Sequence, residues 1–447
     1  MRLIGDEMLV WSDYDGQHGP GPVRGPALQP FLAAARGRVL VAGPHDPALL
    51  AGLPDVTVLV RGVPDAEMLA RDPGLTVLCG SPAELSAEGP FDTIVALAGL
   101  DRLDTAESAG MNWAELLGVL RGALAPDGVL LLGASNDLGV HRLAAPPPVP
   151  DDGAWVPGPD ATRPRTVDGL RRAVGEAAAV YAVFPDPVAP ALVLPEGAEG
   201  GAVEAALAAA FADIPGILHD PATLAIDSVR HGLGTALAPG WIVVAARDAA
   251  QVPRVACGPA TASPGPTLAS AIARAAAHRD LPLVRHQLTR WQQSPAAGVP
   301  AGQVVDTPDG ELVALGPAGE PGRALLDLAA RLLRPGFPHP WPAVTGPVEL
   351  ARLLAAMTGR TIAVPDSAPD RALPVGELVA DRERLARELA EARAQAAFFA
   401  TELTAREADL RRVRRMVELL SGTGPARAGQ AFVGGVRAAR RVLRRPG

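Results

Sequence analysis

The chain of 447 residues is 48% apolar but only 4% aromatic, enough for two globular domains with cores of Ala, Val and Leu. All 41 basic residues are arginine, which excludes a P-loop lysine, a Schiff base and a pyridoxal site, and two cysteines (Cys79 and Cys257) exclude a disulfide framework or zinc cluster and fit a reducing cytosol. The net charge of −8 is uneven: residues 377–418 hold nine acids and nine arginines, residues 427–445 six arginines and no acid, and the acidic remainder argues against nucleic-acid binding by the body.

The opening MRLIGDEMLVWSDYDG carries early acids and no apolar h-region, so no signal peptide is expected. Residues 38–134 then alternate short apolar runs with helical stretches in a βαβ rhythm. Strands are expected at Arg38–Gly43, Val56–Val60, Leu75–Cys79, Phe91–Leu97 and Val129–Leu132. Helical spacing covers Asp46–Leu53 and Trp113–Leu124, and Pro126-Asp127-Gly128 reads as a turn. Such continuous β-branched and leucine runs are those of parallel strands buried on both faces. A doubly wound sheet is expected, with any ligand outside the carboxyl ends of its strands.

Residues 144–165 are rich in proline and glycine and read as a loop or lid. Helix Val167–Ala178 and strand Val180–Phe184 return to the sheet. Residues 197–365 mix helices (Val203–Ala212, Thr267–Ala277, Arg323–Leu333, Val348–Met357) with strands (Trp241–Ala245, Glu311–Leu315) and read as a second α/β or α+β domain. No uncharged apolar stretch reaches the roughly eighteen residues of a membrane-spanning helix.

The succession VLVAG (39–43), VTVLVRG (56–62), LTVLCGSPAEL (75–85), FDTIVALAGLDRL (91–103) and LRGALAPDGVLLLG (120–133) resembles the class I methyltransferases that use S-adenosylmethionine. The resemblance spans roughly residues 36–195, and its last two segments are the most specific. It implies cofactor contacts from Gly43, His45 and Asp46 after the first strand, Arg61 at the end of the second, Gly80 and Ser81 after the third and Ala98 after the fourth. It implies chemistry at Asp101, just past strand four, and at Asn136 and His141, past strand five. Asn136–Gly139 and Tyr181–Asp186 resemble, more narrowly, the methyltransferase domains of bacterial surface-polysaccharide synthesis. That likeness implies a glycan or lipid-linked acceptor at the inner membrane face.

The chain departs from the family at three places. One glycine, Gly43, stands in the first loop, where backbone approach to a cofactor favours several. Val41 replaces an acid two residues earlier. Arg61-Gly62 replaces the acid that would accept the ribose hydroxyls, and an arginine only donates. Each candidate also has a plainer reading. His45 is either a cofactor-loop or a loop-capping residue, and Asp46 either a ligand contact or an N-cap. Arg61 suits a phosphate, but without G-x-G-x-x-G that reading is weak. Asp101 and Arg102 either meet a substrate or form a surface ion pair. His141 is either a general base or structural. No metal-ligand spacing, G-x-S-x-G elbow or Cys/His pair is found.

From Glu377 to Ser421 there is neither glycine nor proline. Leu389, Ala396, Leu403, Leu410 and Val417 repeat every seven residues, and Leu378, Leu385, Ala392, Phe399, Val413 and Leu420 complete the seam, with Arg406 its charged member. Heptads of this kind predict a coiled coil and a homo-oligomer. In a parallel dimer Glu388 would face Arg393 and Asp409 would face Arg414, whereas Glu402 would oppose Glu407. The alternative is a helix packed back on its own domain. Beyond Gly422–Pro425, Phe432, Val433, Val436, Ala439 and Leu443 share one side and Arg437, Arg440, Arg441, Arg444 and Arg445 much of the rest. That suits an anionic membrane surface; a solvated terminus is the alternative, and nucleic acid ranks third for want of aromatic platforms.

These readings give a lead-in over 1–35, a Rossmann-like methyltransferase domain over 36–196, an accessory α/β domain over 197–365, a coiled coil over 376–421 and a basic amphipathic tail over 428–446. The leading expectation is a cytoplasmic S-adenosylmethionine-dependent methyltransferase, peripheral at the inner membrane face. The alternative is a catalytically inactive methyltransferase-fold scaffold that oligomerises through its coil. The broken glycine loop and Arg61 favour the scaffold; the order of strands four and five favours the enzyme.

Overall fold

The computed structural model describes residues 1–422 apart from 109, 146–159, 176, 215–218, 260–263, 335–338, 345 and 368–374. The basic tail expected over 428–446, and most of the expected lid, lie outside the described residues. Internal contacts divide the chain into a body, Met1–Gly376, and a second unit, Glu377–Gly447.

The body is built on strands β1 (Arg2–Gly5), β2 (Val39–Ala42), β3 (Val56–Val60), β4 (Leu75–Gly80), β5 (Phe91–Ala96), β6 (Leu124–Ser135), β7 (Ala178–Phe184), β8 (Leu192–Pro195) and β9 (Gly240–Ala246). They form one sheet in the order β1-β4-β3-β2-β5-β6-β9-β7-β8. The pairings from β1 to β6 are parallel, while β9 runs antiparallel to both β6 and β7. The run β4-β3-β2-β5-β6 has the 3-2-1-4-5 order of a doubly wound sheet, with its switch point between β2 and β5. With the reversed β9 let in between β6 and β7, the architecture fits a Rossmann-like methyltransferase fold.

The apolar runs bury alternately on the two faces, as the period of a strand requires. Leu40, Leu59, Leu78, Ile94 and Leu130 join one core with Trp113, Leu116 and Leu120 of the helix Trp113–Ala123. Val39, Val41, Val58, Val60, Val77 and Val95 join the other, with Phe31 and Leu49. A third core surrounds the buried Trp291, where helices Leu268–Ala277, Leu281–Gln293, Pro321–Leu332 and Pro347–Met357 meet. The small antiparallel pair β10 (Val304–Asp306) and β11 (Leu312–Ala314) stands beside them.

Several expected boundaries are corrected. No division falls after residue 196: β9 hydrogen-bonds along its length to β6 and β7, so part of the expected accessory domain completes the main sheet. The lead-in over 1–35 is no extension, since β1 pairs with β4 at the sheet edge. The turn at Pro126–Gly128 lies within the span of β6, as an irregularity where Phe91 pairs with Leu124 and Thr93 with Val129. The helix expected to Ala178 ends at Val174, where Gly175 at φ 106 takes a conformation open to glycine, and Ala178 already belongs to β7.

In the second unit, Val375–Gly422 is one helix of 48 residues, about 72 Å long at ~1.5 Å per residue. The sequence explains its length, because nothing between residues 377 and 421 interrupts the backbone hydrogen bonds. None of the described helices is long and apolar enough to cross a membrane.

Candidate functional site

The carboxyl ends of β2 to β6 gather the residues singled out above. After β2, Gly43 has φ 90, and a Cβ there would lie 3.3 Å from the Ala98 Cβ, so a side chain at this position is both strained and crowded. His45 is fully buried. Its Nδ1 lies 3.0 Å from the Gly43 carbonyl, and its Nε2 accepts the Leu97 N–H at 3.2 Å. Those two partners require the neutral ring with its proton on Nδ1. Burial pushes the pKa of His45 down to about 4, with Arg102 acting the same way and the Gly43 carbonyl opposing. His45 therefore ties the β2 loop to the end of β5. Asp46 is a helix cap, accepting the Ala48 N–H at 2.9 Å.

The N-terminal segment closes over these strand ends. Backbone hydrogen bonds link Val23 with Pro44 and Asp46, Met8 with Arg61 and Val63, and the Ser81 N–H to the Gly5 carbonyl. The Tyr14 hydroxyl donates to the His45 carbonyl at 2.8 Å and accepts the His45 N–H at 3.1 Å. Gly62 and Gly80 are needed for this closure, because a Cβ would stand 2.1 Å from the Trp11 carbonyl oxygen or 2.2 Å from that of Gly5.

Arg61 lies at the centre of the closure, 4% exposed. Its Nε and Nη2 each donate to the Asp13 carboxylate at 2.8 Å, and its Nη1 donates to the Asp104 carbonyl at 3.0 Å. The Trp11 ring lies 5.1 Å from the guanidinium carbon. Arg102 adds a second cation, 3.3 Å from Asp13, and also donates to the Gly21 carbonyl. Burial raises the pKa of Asp13, but the hydrogen bonds and charge of Arg61, with the charge of Arg102, more than offset it, and the net shift is downward. Asp65 accepts from the Ser12 hydroxyl and the Asp13 N–H, and its pKa is raised, chiefly by burial.

Beside this cluster, a cavity of about 150 Å³ opens at the ends of β5 and β6, bordered by Val23, Ala98, Asp101, Arg102, Ser135 and Arg163. Arg163 bridges its mouth, 3.2 Å from Asp101 and donating to the Ser135 hydroxyl at 2.8 Å. Burial raises the Asp101 pKa, against the pull of Arg163.

The expected catalytic residues are not brought together. Asp101 and Ala98 border the cavity, whereas Asn136 and His141 do not. The Asn136 amide donates to the Ala236 and Ala238 carbonyls at 2.8 Å, and its oxygen accepts the Leu138 N–H at 3.0 Å. It fastens the loop after β6 to the chain entering β9. His141 sits in the short helix Val140–Ala144; its Nδ1 is buried without a hydrogen-bond partner and burial lowers its pKa. Gly80 and Ser81 meet Gly5, and the Ser81 side chain caps the following turn through the Ala83 N–H at 3.4 Å. Asp13, Trp11, Tyr14, Asp65 and Arg163 carry the local structure and were not among the expected residues. Arg61 gave the one available signal: a buried arginine requires a carboxylate.

S-adenosylmethionine does not fit the residues at its implied position. The ribose hydroxyls need an acceptor at the end of β3, and Arg61 there is a donor already committed to Asp13. The N–H groups of His45, Asp46 and Ser81 are taken by Tyr14, Val23 and Gly5. The adjoining cavity is also smaller than the roughly 300–1,000 Å³ of ordinary small-molecule sites.

No family model and no curated protein matches this chain. Solved structures do. A chain from a study of disulfide-to-thioacetal conversion in echinomycin biosynthesis is 25% identical over 38% of this chain and 77% of its own, with a TM-score of 0.26. The CcbJ methyltransferase from Streptomyces caelestis is 21% identical over 30% of this chain and 57% of its own, with a TM-score of 0.21. PKMT2 from Rickettsia typhi in complex with AdoHcy is 9% identical over 80% of this chain and 94% of its own, with a TM-score of 0.28. Superpositions this loose carry no argument about activity.

Proposed function

We propose that this chain is a methyltransferase-fold scaffold whose body is closed against S-adenosylmethionine by its own N-terminal segment, and whose long helix is the element through which copies join. The observation that carries the reading is the buried Asp13–Arg61 pair at the end of β3, where the cofactor's ribose would need an acid. Charge, backbone hydrogen bonds and the fit of Gly62 and Gly80 all hold the segment in place. Nothing in the geometry speaks for a glycan or lipid-linked acceptor. The test is calorimetric titration of the full chain with S-adenosylmethionine and S-adenosylhomocysteine. The scaffold gives no saturable heat; stoichiometric binding in the micromolar range overturns it.

One observation favours a second reading, an enzyme that binds the cofactor once the segment lifts. Arg163, Asp101 and Ser135 border a cavity where a methyl acceptor would lie in such a fold. Under that reading Asp13→Ala gains affinity for S-adenosylmethionine, because it releases the segment from Arg61. Under the scaffold reading neither protein binds.

A further inference from the structure

The long helix carries an exposed apolar seam. Leu385, Leu389, Phe399, Leu403, Leu410, Val413 and Val417 are all more than half exposed, Leu389 the least at 52% and Phe399 the most at 65%. The seam from Leu385 to Val417 runs about 48 Å at ~1.5 Å per residue. A stripe of that length standing in water marks an interaction surface. Its three-and-four spacing is that of core positions a (Leu389, Ala396, Leu403, Leu410, Val417) and d (Leu385, Ala392, Phe399, Arg406, Val413).

The flanking charges choose the occupant and its direction. The positions preceding each a residue are Glu388, Gln395, Glu402, Asp409 and Met416; those following each d residue include Arg393, Glu407 and Arg414. In an antiparallel pair the first set faces itself, acid against acid along the seam. In a parallel pair in register it faces the second set five residues on, so Glu388 meets Arg393 and Asp409 meets Arg414 of the other copy. The one repelling pair, Glu402 with Glu407, is muted within each helix: Glu402 lies 3.8 Å from Arg406 and Glu407 lies 3.2 Å from Arg411. The first of those contacts also turns the guanidinium of Arg406 to the rim, so a charged residue can lay its apolar stem in the seam. Register is favoured by size as well, since the small Ala392 and Ala396 precede Phe399 in the seam and the larger Leu403 follows it, and pairing in step sets ring beside ring.

We infer that the partner of this helix is a second copy of this chain, wound parallel and in register. The inference rests on the helix being the joining element and adds the direction and number of copies. The experiment uses the full chain with Leu389→Cys or Leu410→Cys, singly and mixed, under mild oxidation, beside light scattering of the unsubstituted chain. A mass of twice 45.9 kDa is expected. Each variant should cross-link with itself, and a mixture should give no bond between residue 389 of one copy and residue 410 of the other. A dimer that yields only the mixed cross-link is antiparallel and overturns the direction alone. A monomer at micromolar concentration overturns the joining role as well. Cys79 is buried but Cys257 only partly so, so both variants also carry Cys257→Ser, and the chain with that replacement alone should not cross-link.

Discussion

Asp13 and Arg61 meet through two 2.8 Å hydrogen bonds inside the body, joining a segment that precedes β2 to the far end of β3. Both are almost wholly shielded from water, and Arg102 leans on the same carboxylate. Removing one member of a buried pair leaves an uncompensated charge, at a cost of about 3–5 kcal/mol. Asp13→Ala should therefore lower the unfolding free energy by about that amount in denaturant titrations. The triple replacement Asp13→Leu with Arg61→Met and Arg102→Met should recover much of it, because then neither cation that leans on Asp13 is left stranded. A loss below about 1 kcal/mol for Asp13→Ala would place the pair among ordinary surface bridges and remove the seal it is taken to form.

The central strands of the sheet were readable because they are short runs of β-branched and leucine residues buried on both faces, as in Val39–Ala42 and Val56–Val60. The Trp241–Ala245 run was equally readable, but not its place. No local pattern says that a strand so far along the chain runs backwards between two earlier ones. The closure of the site was hidden for the same reason. Asp13 finds Arg61 across 48 residues, and the segment around it shows neither helical nor alternating periodicity. Asn136 and His141 stood at the right end of the sheet, yet strand order alone could not show that the Asn136 amide is spent on the chain entering β9.

His45 should make stability depend on pH. Its folded pKa is lowered from 6.5 to about 4, because burial disfavours the charged ring. The unfolded chain takes up a proton as pH falls through 6.5, and the folded chain does not until about 4. The contribution is therefore fully present above 6.5 and is lost as pH falls across that window, to the extent of about 3 kcal/mol at its lower end. Asp65 and Asp101, both raised chiefly by burial, act in the opposite sense as pH rises from 3.8, so the upper part of the window is the place to measure. Urea midpoints between about pH 5 and pH 7 should rise with pH for the natural chain and lie flatter for His45→Asn. Equal slopes would mean that His45 is not held neutral.

Gly62→Ala should prise the N-terminal segment from β3. The added carbon would stand 2.1 Å from the Trp11 carbonyl oxygen, a backbone atom with no freedom to rotate aside. Overpacking of this kind costs about 1–3 kcal/mol. Here the strain falls on a segment held by a few hydrogen bonds, so local release should precede global unfolding. Limited proteolysis should cut within residues 5–23 of the variant under conditions where the natural chain resists. Cleavage at equal rates would show that the segment accommodates the carbon by a small shift.

The arginine-rich residues 428–446 give the last expectation, a proposal that rests on sequence and on the paired helix. Burying Phe432, Val433, Val436 and Leu443 in a lipid interface contributes at most about 1.5–3 kcal/mol each, and each arginine adds about 1 kcal/mol near anionic lipid. One short segment paying its own ordering entropy is marginal by that reckoning. A parallel pair delivers two such segments from the same end of the coil, and the second meets the surface at a millimolar effective concentration, a gain of about 100-fold or more. Co-sedimentation with phosphatidylserine vesicles should therefore require both parts. A chain ending at residue 427 should stay in the supernatant, and so should a full chain carrying Leu403→Asp and Leu410→Asp, whose seam cannot close. Raising salt should release the natural chain, because the Debye length shrinks from about 10 Å at 0.1 M to 3 Å at 1 M. Binding that survives loss of residues 428–447, or that is equal on neutral vesicles, would sink the proposal.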